Sequence, residues 1–356
     1  MKTKIIIILT LTILSLCSFK SNYSIDNYSV SIKKSNKRVL TKNLNIDITQ
    51  TVSNAKDVLI QLEKIKTFSP KLYIKNIKLY KSIKNWLKSN GDITKLESFG
   101  IHLYKFKKLN NYGNIKITSY YTPIIHARKT PSKKFCYPIY RIPEYLKKIK
   151  RLPNRKDIYN GILQKKYILA YSNSLIDNFI MDVQGSGIIN YGSNQPLVLF
   201  KYSGENGWPY TSIGKILVDK GDIKKEDMSI KTIINWCKKH TQIEIKKLLE
   251  NNNSFVFFKP TKNILICGSS SVPLVARTSI ATDQKIIKLG DVILAKIPIL
   301  NKFGKFYNLY ETRLLIALDV GGSIKGQKLD LYQGIGNHAG ITAGFYNHYG
   351  YVWNLQ

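Results

Sequence analysis

Leu318-Asp319-Val320-Gly321-Gly322-Ser323-Ile324-Lys325-Gly326-Gln327-Lys328-Leu329-Asp330-Leu331-Tyr332 sets two carboxylates eleven residues apart, separated by a loop with three glycines. Just upstream, Leu315-Ile316-Ala317-Leu318 has the apolar run of a buried strand, and Asp319-Val320-Gly321-Gly322 is the turn that ends it. In Lys328–Tyr332 a period of two puts Leu329 and Leu331 on one face, Asp330 and Tyr332 on the other. A carboxyl with apolar neighbours is desolvated, which raises its pKa, and a second carboxylate nearby raises it further. That is how a chain makes a proton donor at neutral pH. Asp330 is therefore the first candidate for a catalytic acid, with a strand-edge Asp bonded to a loop as the alternative. Asp319, standing before Gly-Gly, is either a turn former that accepts backbone N–H groups or a residue that positions and tunes Asp330.

With 356 residues, 44% hydrophobic and 22% charged, the chain has core-forming material for two domains. Its outlying property is charge: 56 Lys+Arg against 22 Asp+Glu give +34. Such an excess suits an acidic polymer, whether nucleic acid, anionic membrane or cell wall. The lysines are scattered and not gathered in a stripe, so compositional drift toward Lys, Ile, Asn and Tyr accounts for most of it. The lack of a clustered basic motif, together with an export signal, argues against a nucleic-acid partner.

That signal is Met1-Lys2-Thr3-Lys4 followed by the short apolar run Ile5–Leu14, a secretion leader. Leu14-Ser15-Leu16-Cys17 resembles a bacterial lipobox with Leu16 in the position normally held by a small residue. Residues 1–17 are expected to be the leader, Cys17 the lipidated residue anchoring the chain to the outer membrane, and 18–50 a tether. An uncleaved anchor is the alternative. The odd set Cys136, Cys237 and Cys267 argues against a disulfide framework. No Cys/His spacing suggests a metal, and neither metal nor cofactor is expected.

Val58, Leu59, Leu62 and Ile65 recur at helical spacing, and Leu79, Ile83, Trp86 and Leu87 mark a second helix stopped by Gly91. Ile115–Tyr121, Tyr167–Tyr171, Phe179–Gly187, Leu197–Phe200, Phe255–Phe258, Ile264–Ile266 and Val292–Ala295 read as strands and loops. Between them lie helices at Ile213–Leu217, after a Ser229 cap, and after Thr241-Gln242-Ile243-Glu244, which has capping-box spacing.

Tyr120-Tyr121, Tyr191, Trp208-Pro209-Tyr210 and Phe345-Tyr346 with Tyr349 offer flat faces on which sugar rings stack, although strand aromatics are more often core. Asp182-Val183-Gln184-Gly185-Ser186-Gly187 gives either a polar surface, through Gln184 and Ser186, or an ordinary bulged strand and turn. Gly334-Ile335-Gly336-Asn337-His338-Ala339-Gly340 is spaced GxGxxxG and lacks a βαβ context, so its glycines are expected to serve tight turns or close approach of substrate.

Taken jointly, four blocks resemble the membrane-bound lytic murein transglycosylase A family. They are Tyr120-Tyr121-Thr122-Pro123 with Ile125–Arg128 and Tyr137–Tyr140; Asn178–Gly187; Ser254–Pro260; and Ala317–Gly322 through Asp330–Gly334 and Tyr346–Gly350. The likeness runs from about Tyr120 to the C-terminus. It implies a mainly β fold with helices: a double-psi β-barrel from 51–118 and 259–356, a mostly β glycan-binding domain inserted at 119–258, and a glycan groove between them. It also implies cleavage of the β-1,4 MurNAc-GlcNAc bond of peptidoglycan without water, giving 1,6-anhydro ends, with Asp330 as acid and then base. Asp319 falls on another family Asp, and Asp283 on a third with a structural role. Tyr120, Tyr121, Thr122, Gln184, Ser186, Lys325 and Gln333 are the implied substrate-binding residues. The implied setting is a monomer bound to peptidoglycan strands at the periplasmic face of the outer membrane. Ser119 departs from the Gly expected before Tyr-Tyr. A muramidase-type hydrolase and a non-catalytic peptidoglycan binder are the rival functions.

Overall fold

The computed structural model describes residues 40–42, 51–144, 151–301 and 303–356. The leader 1–17 with Cys17, and the tether except for 40–42, lie outside the described residues.

In chain order, β1 (Leu40–Lys42) precedes three helices, α1 (Ala55–Phe68), α2 (Pro70–Lys75) and α3 (Ile77–Lys88). Then come β2 (Leu103–Phe106), β3 (Ile115–Thr122), β4 (Ile124–Arg128), β5 (Tyr137–Tyr140), α4 (Arg155–Tyr159), β6 (Ile168–Ser172), α5 (Leu175–Gln184), β7 (Ser186–Asn190) and β8 (Val198–Glu205). Three helices follow, α6 (Ile213–Asp219), α7 (Ile230–Lys238) and α8 (Gln242–Glu250), and then β9 (Val256–Thr261). The C-terminal part holds β10 (Ser279–Thr282), β11 (Val292–Leu300), β12 (Phe306–Asp319), β13 (Lys328–Ile335), α9 (Gly336–Phe345) and β14 (Asn347–Leu355).

The strands form two sheets. One runs β1-β2-β14-β11-β12-β10-β13-β3, and β14 also pairs with β3, so six of its strands close into a ring. The other runs β5-β6-β4-β7-β8-β9. The chain leaves the ring after β3 at Pro123, builds the second sheet, and returns after Thr261.

Alternation fills the ring. Ile115, Ile117, Ile280, Ile293, Ala295, Leu315, Ala317, Leu329, Leu331 and Val352, drawn from all six strands, form one buried cluster inside it. The opposite faces of β11, β12 and β14 are buried as well: Leu294, Leu314, Ile316, Leu318 and Trp353 pack on Val58, Leu62, Ile65, Ile83 and Trp86 from α1 and α3. Burial on both faces is why Leu314–Leu318 is apolar at every position rather than at alternate ones. The helical spacings read from the sequence fall on α1 and α3, and Thr241 with Glu244 makes a complete capping box on α8.

Three segments differ from the sequence expectation. Phe179–Gln184 is the second half of helix α5, capped by the Ser174 side chain and ended by Gly185 at φ 77°. Nearly every residue from Leu175 to Asp182 is buried, so no polar face exposed a helical period. Gly336–Phe345 is helix α9 in spite of its glycines, held by tertiary packing of Ala339 and Ala343 on Tyr121 and Ile180. A Cβ at Gly340 would lie 2.7 Å from the Tyr121 ring, so this glycine admits a neighbouring side chain, not a ligand. Ile264–Ile266 forms no strand; it is a loop in which Asn263 Oδ1 accepts from the Leu265 N–H and the Ile266 carbonyl from the Leu274 N–H.

The second sheet is fastened by a buried cation. Arg155 on α4 donates to Asp182 Oδ2 at 2.9 Å, to the Tyr159 hydroxyl at 2.8 Å and to the carbonyls of Asn252 and Ser254, with its guanidinium over the Phe179 and Phe255 rings. Asp182 is thus an interior partner. Arg155→Met strands the Asp182 carboxylate, and urea unfolding is expected to give a loss of about 3–5 kcal/mol; a loss below about 1 kcal/mol would mean the pair carries no structural weight.

Candidate active site

β10 fixes the two aspartates. Its Ala281 pairs on one side with Asp319 of β12, in parallel, and on the other with Asp330 of β13, antiparallel. Asp330 in turn pairs with Thr118 of β3. The carboxylates therefore stand two strand spacings apart, about 9.6 Å between backbones. Leu329 and Leu331 point into the ring, which turns Asp330 to its outer face, half-buried.

One pleat along that face are two tyrosines. Tyr120 pairs with Tyr332 across β3 and β13, their ring centroids 5.2 Å apart. The Tyr120 hydroxyl donates to Asp319 Oδ2 at 2.9 Å. Asp319 Oδ1 accepts from the backbone N–H groups of Ser269 and Val320 at 2.8 and 2.9 Å. The Ser269 loop can reach Asp319 because residue 268 is glycine: a Cβ there would fall 2.3 Å from the Leu318 carbonyl oxygen and 3.0 Å from Asp319 Cβ.

Asp330 is served more sparely. Its Oδ1 accepts from the Thr118 hydroxyl at 2.8 Å. Burial pushes its carboxyl up to about 6; Thr118 and the Lys328 ammonium pull the other way, and Asp319 adds to the rise. Burial also raises Asp319, against the opposing pull of its three donors. The Tyr120 hydroxyl is raised well above its ordinary value by burial and by the negative charge of Asp319, so it remains a donor.

The other sequence-predicted residues divide by role. Tyr121 and Thr122 are buried: Thr122 Oγ1 lies 3.2 Å from the Tyr332 hydroxyl, and the Tyr121 backbone N–H donates to Gln184 Oε1 at 2.9 Å. Gln184, at the end of α5, thus ties the second sheet's helix to the strand that carries Tyr120. Ser186 is half-buried at the start of β7, paired with Lys201. Gln333 is buried and donates through Nε2 to Ser119 Oγ at 2.9 Å, which gives the departure at position 119 a partner. Lys325 is exposed and acts on Asp283, whose Oδ2 accepts from the Gly326 N–H at 2.8 Å and so pins the glycine loop between the aspartates. The cation that acts on Asp330 is Lys328.

Sequence reasoning missed Thr118, Lys328 and the Ser269 N–H. The first two share the strand parity of Tyr120 and Asp330, so the period of two already marked them. Ser269 reaches the site only through chain folding and left no local signal.

Known proteins resemble this chain in sequence and fold. A family model described as "MltA specific insert domain" matches residues 116–259, and one described as "3D domain" matches residues 278–356. A membrane-bound lytic murein transglycosylase A homolog of Buchnera aphidicola is 58% identical over 311 residues, covering 87% of this chain and 85% of that one. Membrane-bound lytic murein transglycosylase A of Escherichia coli K12 is 52% identical over 303 residues, covering 85% and 82%. The crystal structure of E. coli MltA with bound chitohexaose superposes with a TM-score of 0.85 at 48% identity, covering 89% of this chain and 94% of that one. Fold and sequence define the class as lytic transglycosylase enzymes. Within that class, the chain belongs to the membrane-bound lytic murein transglycosylase A family.

Because the Thr118 hydroxyl favours the ionised form of Asp330, Thr118→Val should move that carboxyl's titration midpoint above about 6. Carboxyl-carbon NMR titration of the two proteins reads it; a midpoint that stays put or falls would remove Thr118 as the controlling partner.

Proposed function

We propose that the protein cleaves the β-1,4 bond between N-acetylmuramic acid and N-acetylglucosamine in peptidoglycan without water, Asp330 acting first as acid and then as base. The observation that carries this is the unequal solvation of the two carboxyls. Asp319 accepts three hydrogen bonds, two from backbone N–H groups, which oppose the rise that burial gives its carboxyl, whereas Asp330 has one hydroxyl donor and a carboxyl raised to about 6. Environments that push two carboxyls apart assign the acid to the one that keeps its proton.

Protonated Asp330 donates to the glycosidic oxygen as the bond lengthens toward an oxocarbenium-like state. Its carboxylate then takes the proton of the muramoyl C6 hydroxyl, whose oxygen closes on C1 to give the 1,6-anhydro end. No second carboxylate has to activate water, which suits an Asp319 whose oxygens already accept N–H and O–H donors. Asp319 and Tyr120 position the site; burial is the main cause that raises the Asp330 carboxyl, and Asp319 adds to it.

Tyr120, Ser186 and Gln333 line the glycan path on this proposal, Tyr121, Thr122 and Gln184 set the backbone beneath it, and Lys325 stands at its rim. The six-strand ring is the double-psi barrel, the segment 119–258 is the glycan-binding insertion, and Cys17 carries the lipid that holds a monomer at the outer membrane. No helix among the described residues is long and apolar enough to cross a membrane.

Asp330→Asn should lower turnover on murein sacculi by about 10²–10⁴-fold while the protein still folds and binds glycan; wild-type turnover by that variant would take Asp330 out of the mechanism. Mass spectrometry of the digest separates anhydro ends from the reducing ends of a muramidase and from the absence of product expected of a binder. An acid must be protonated to act, so the rate should fall as pH rises through about 6. A rate that climbs across that range would require ionised Asp330 as the active form.

A further inference from the structure

On the outer face of the ring, one pleat from Asp330 and Thr118, Lys328 of β13 pairs directly with Lys116 of β3. Strands lie about 4.8 Å apart, so two ammonium-bearing stems start side by side. Like charges placed opposite each other on neighbouring strands are destabilising. Both lysines are half-buried, which adds a desolvation cost. Burial lowers the Lys116 ammonium, and both charges that bear on it, Lys328 and Lys225, are positive. Lys225 comes from the segment between α6 and α7, so cations from two parts of the chain converge here. Among the described residues, neither Lys116 nor Lys328 has a carboxylate within 4 Å. The Lys116 Nζ sits 5.9 Å from the centre of the Tyr349 ring, and the Lys328 Nζ donates to the Ser323 carbonyl at 3.4 Å. Those contacts orient the two ammonium groups without neutralising them.

We infer that Lys116 and Lys328 form an anion site beside the catalytic aspartate that takes a carboxylate carried by the glycan itself, which on peptidoglycan is a carboxylate of the peptide stem on the muramoyl sugar. The inference rests on the proposed activity only for the identity of the chain; the site stands on the register of β3 and β13. An anion seated there offsets the repulsion between the lysines and cancels the pull of Lys328 on Asp330. A stem-bearing strand would thereby favour the protonated acid that cuts it.

The test compares stem-bearing glycan strands with strands stripped of peptide by an amidase. Binding is read by calorimetry on the Asp330→Asn protein and cleavage on otherwise wild-type protein. The preference for stem-bearing over stripped strands is expected to fall about tenfold when Lys116→Gln and Lys328→Gln are combined, and to persist in Lys116→Arg. Raised salt should erode the preference of the parent protein and leave that of the double variant unchanged. Removing a like-charge pair should leave the melting temperature unchanged or higher, so a folding defect is separable. A preference within about twofold of the parent in the double variant would overturn the anion site. Lysine-dependent binding by a protein that cuts neither glycan would sink the enzymatic proposal and keep the site. Lysine-independent cleavage of both would do the reverse.

Discussion

Everything at the site depends on the pairing of one short strand. β10 has four residues, and it lies parallel to β12 and antiparallel to β13. Ala281 at its centre is the spacer that sets Asp319 and Asp330 on the same outer face at a fixed separation. Ile280, next to it, faces inward against Leu331 and Ala317. A slip of one residue in this strand would turn both relationships over, sending Ala281 inward and Ile280 out between the acids. The packed interior of the ring therefore does more than stabilise: its Ile, Leu and Ala side chains lock the register on which carboxylate spacing depends.

With spacing fixed, electrostatics separates the two acids. Both are desolvated, so burial alone would raise both and leave neither assigned. The difference comes from donors. Asp319 receives two peptide N–H groups and a tyrosine hydroxyl that is itself held protonated, whereas Asp330 receives one threonine hydroxyl. Gly268 is the condition for this asymmetry, because any side chain there would drive the Ser269 loop off Asp319.

Much of this was legible before any coordinates. The period of two in Lys328–Tyr332 placed Asp330 outward and Leu329 and Leu331 inward, and helical spacing located α1 and α3, because one-sided burial writes its period into sequence. Where burial is two-sided that record is erased. Phe179-Ile180-Met181 is apolar at successive positions, so its helix looked like a strand, and α9 is helical against the propensity of its glycines because Tyr121 and Ile180 hold it. Ring closure between β3 and β14, and the Ser269 N–H at Asp319, join residues far apart in the chain and leave no local mark. The Arg155–Asp182 pair likewise joins two segments of the chain and leaves no local mark.

The same distinction separates diffuse charge from sited charge. A net +34 spread over the chain describes an electrostatic background, and by itself it identifies no partner. Register changes what a lysine means. Lys116 and Lys328 are unremarked members of a lysine-rich sequence until β3 and β13 are paired, whereupon they become two half-buried cations opposite each other at the edge of the acid site. Solvated lysines can turn away from one another at little cost, but a pair with partly buried stems has less freedom to do so. Their charge is then best offset by an anion that arrives with the substrate. Asp330, proposed as the acid, and the two lysines proposed to take the glycan's acidic substituent lie on β3 and β13, so one register places both.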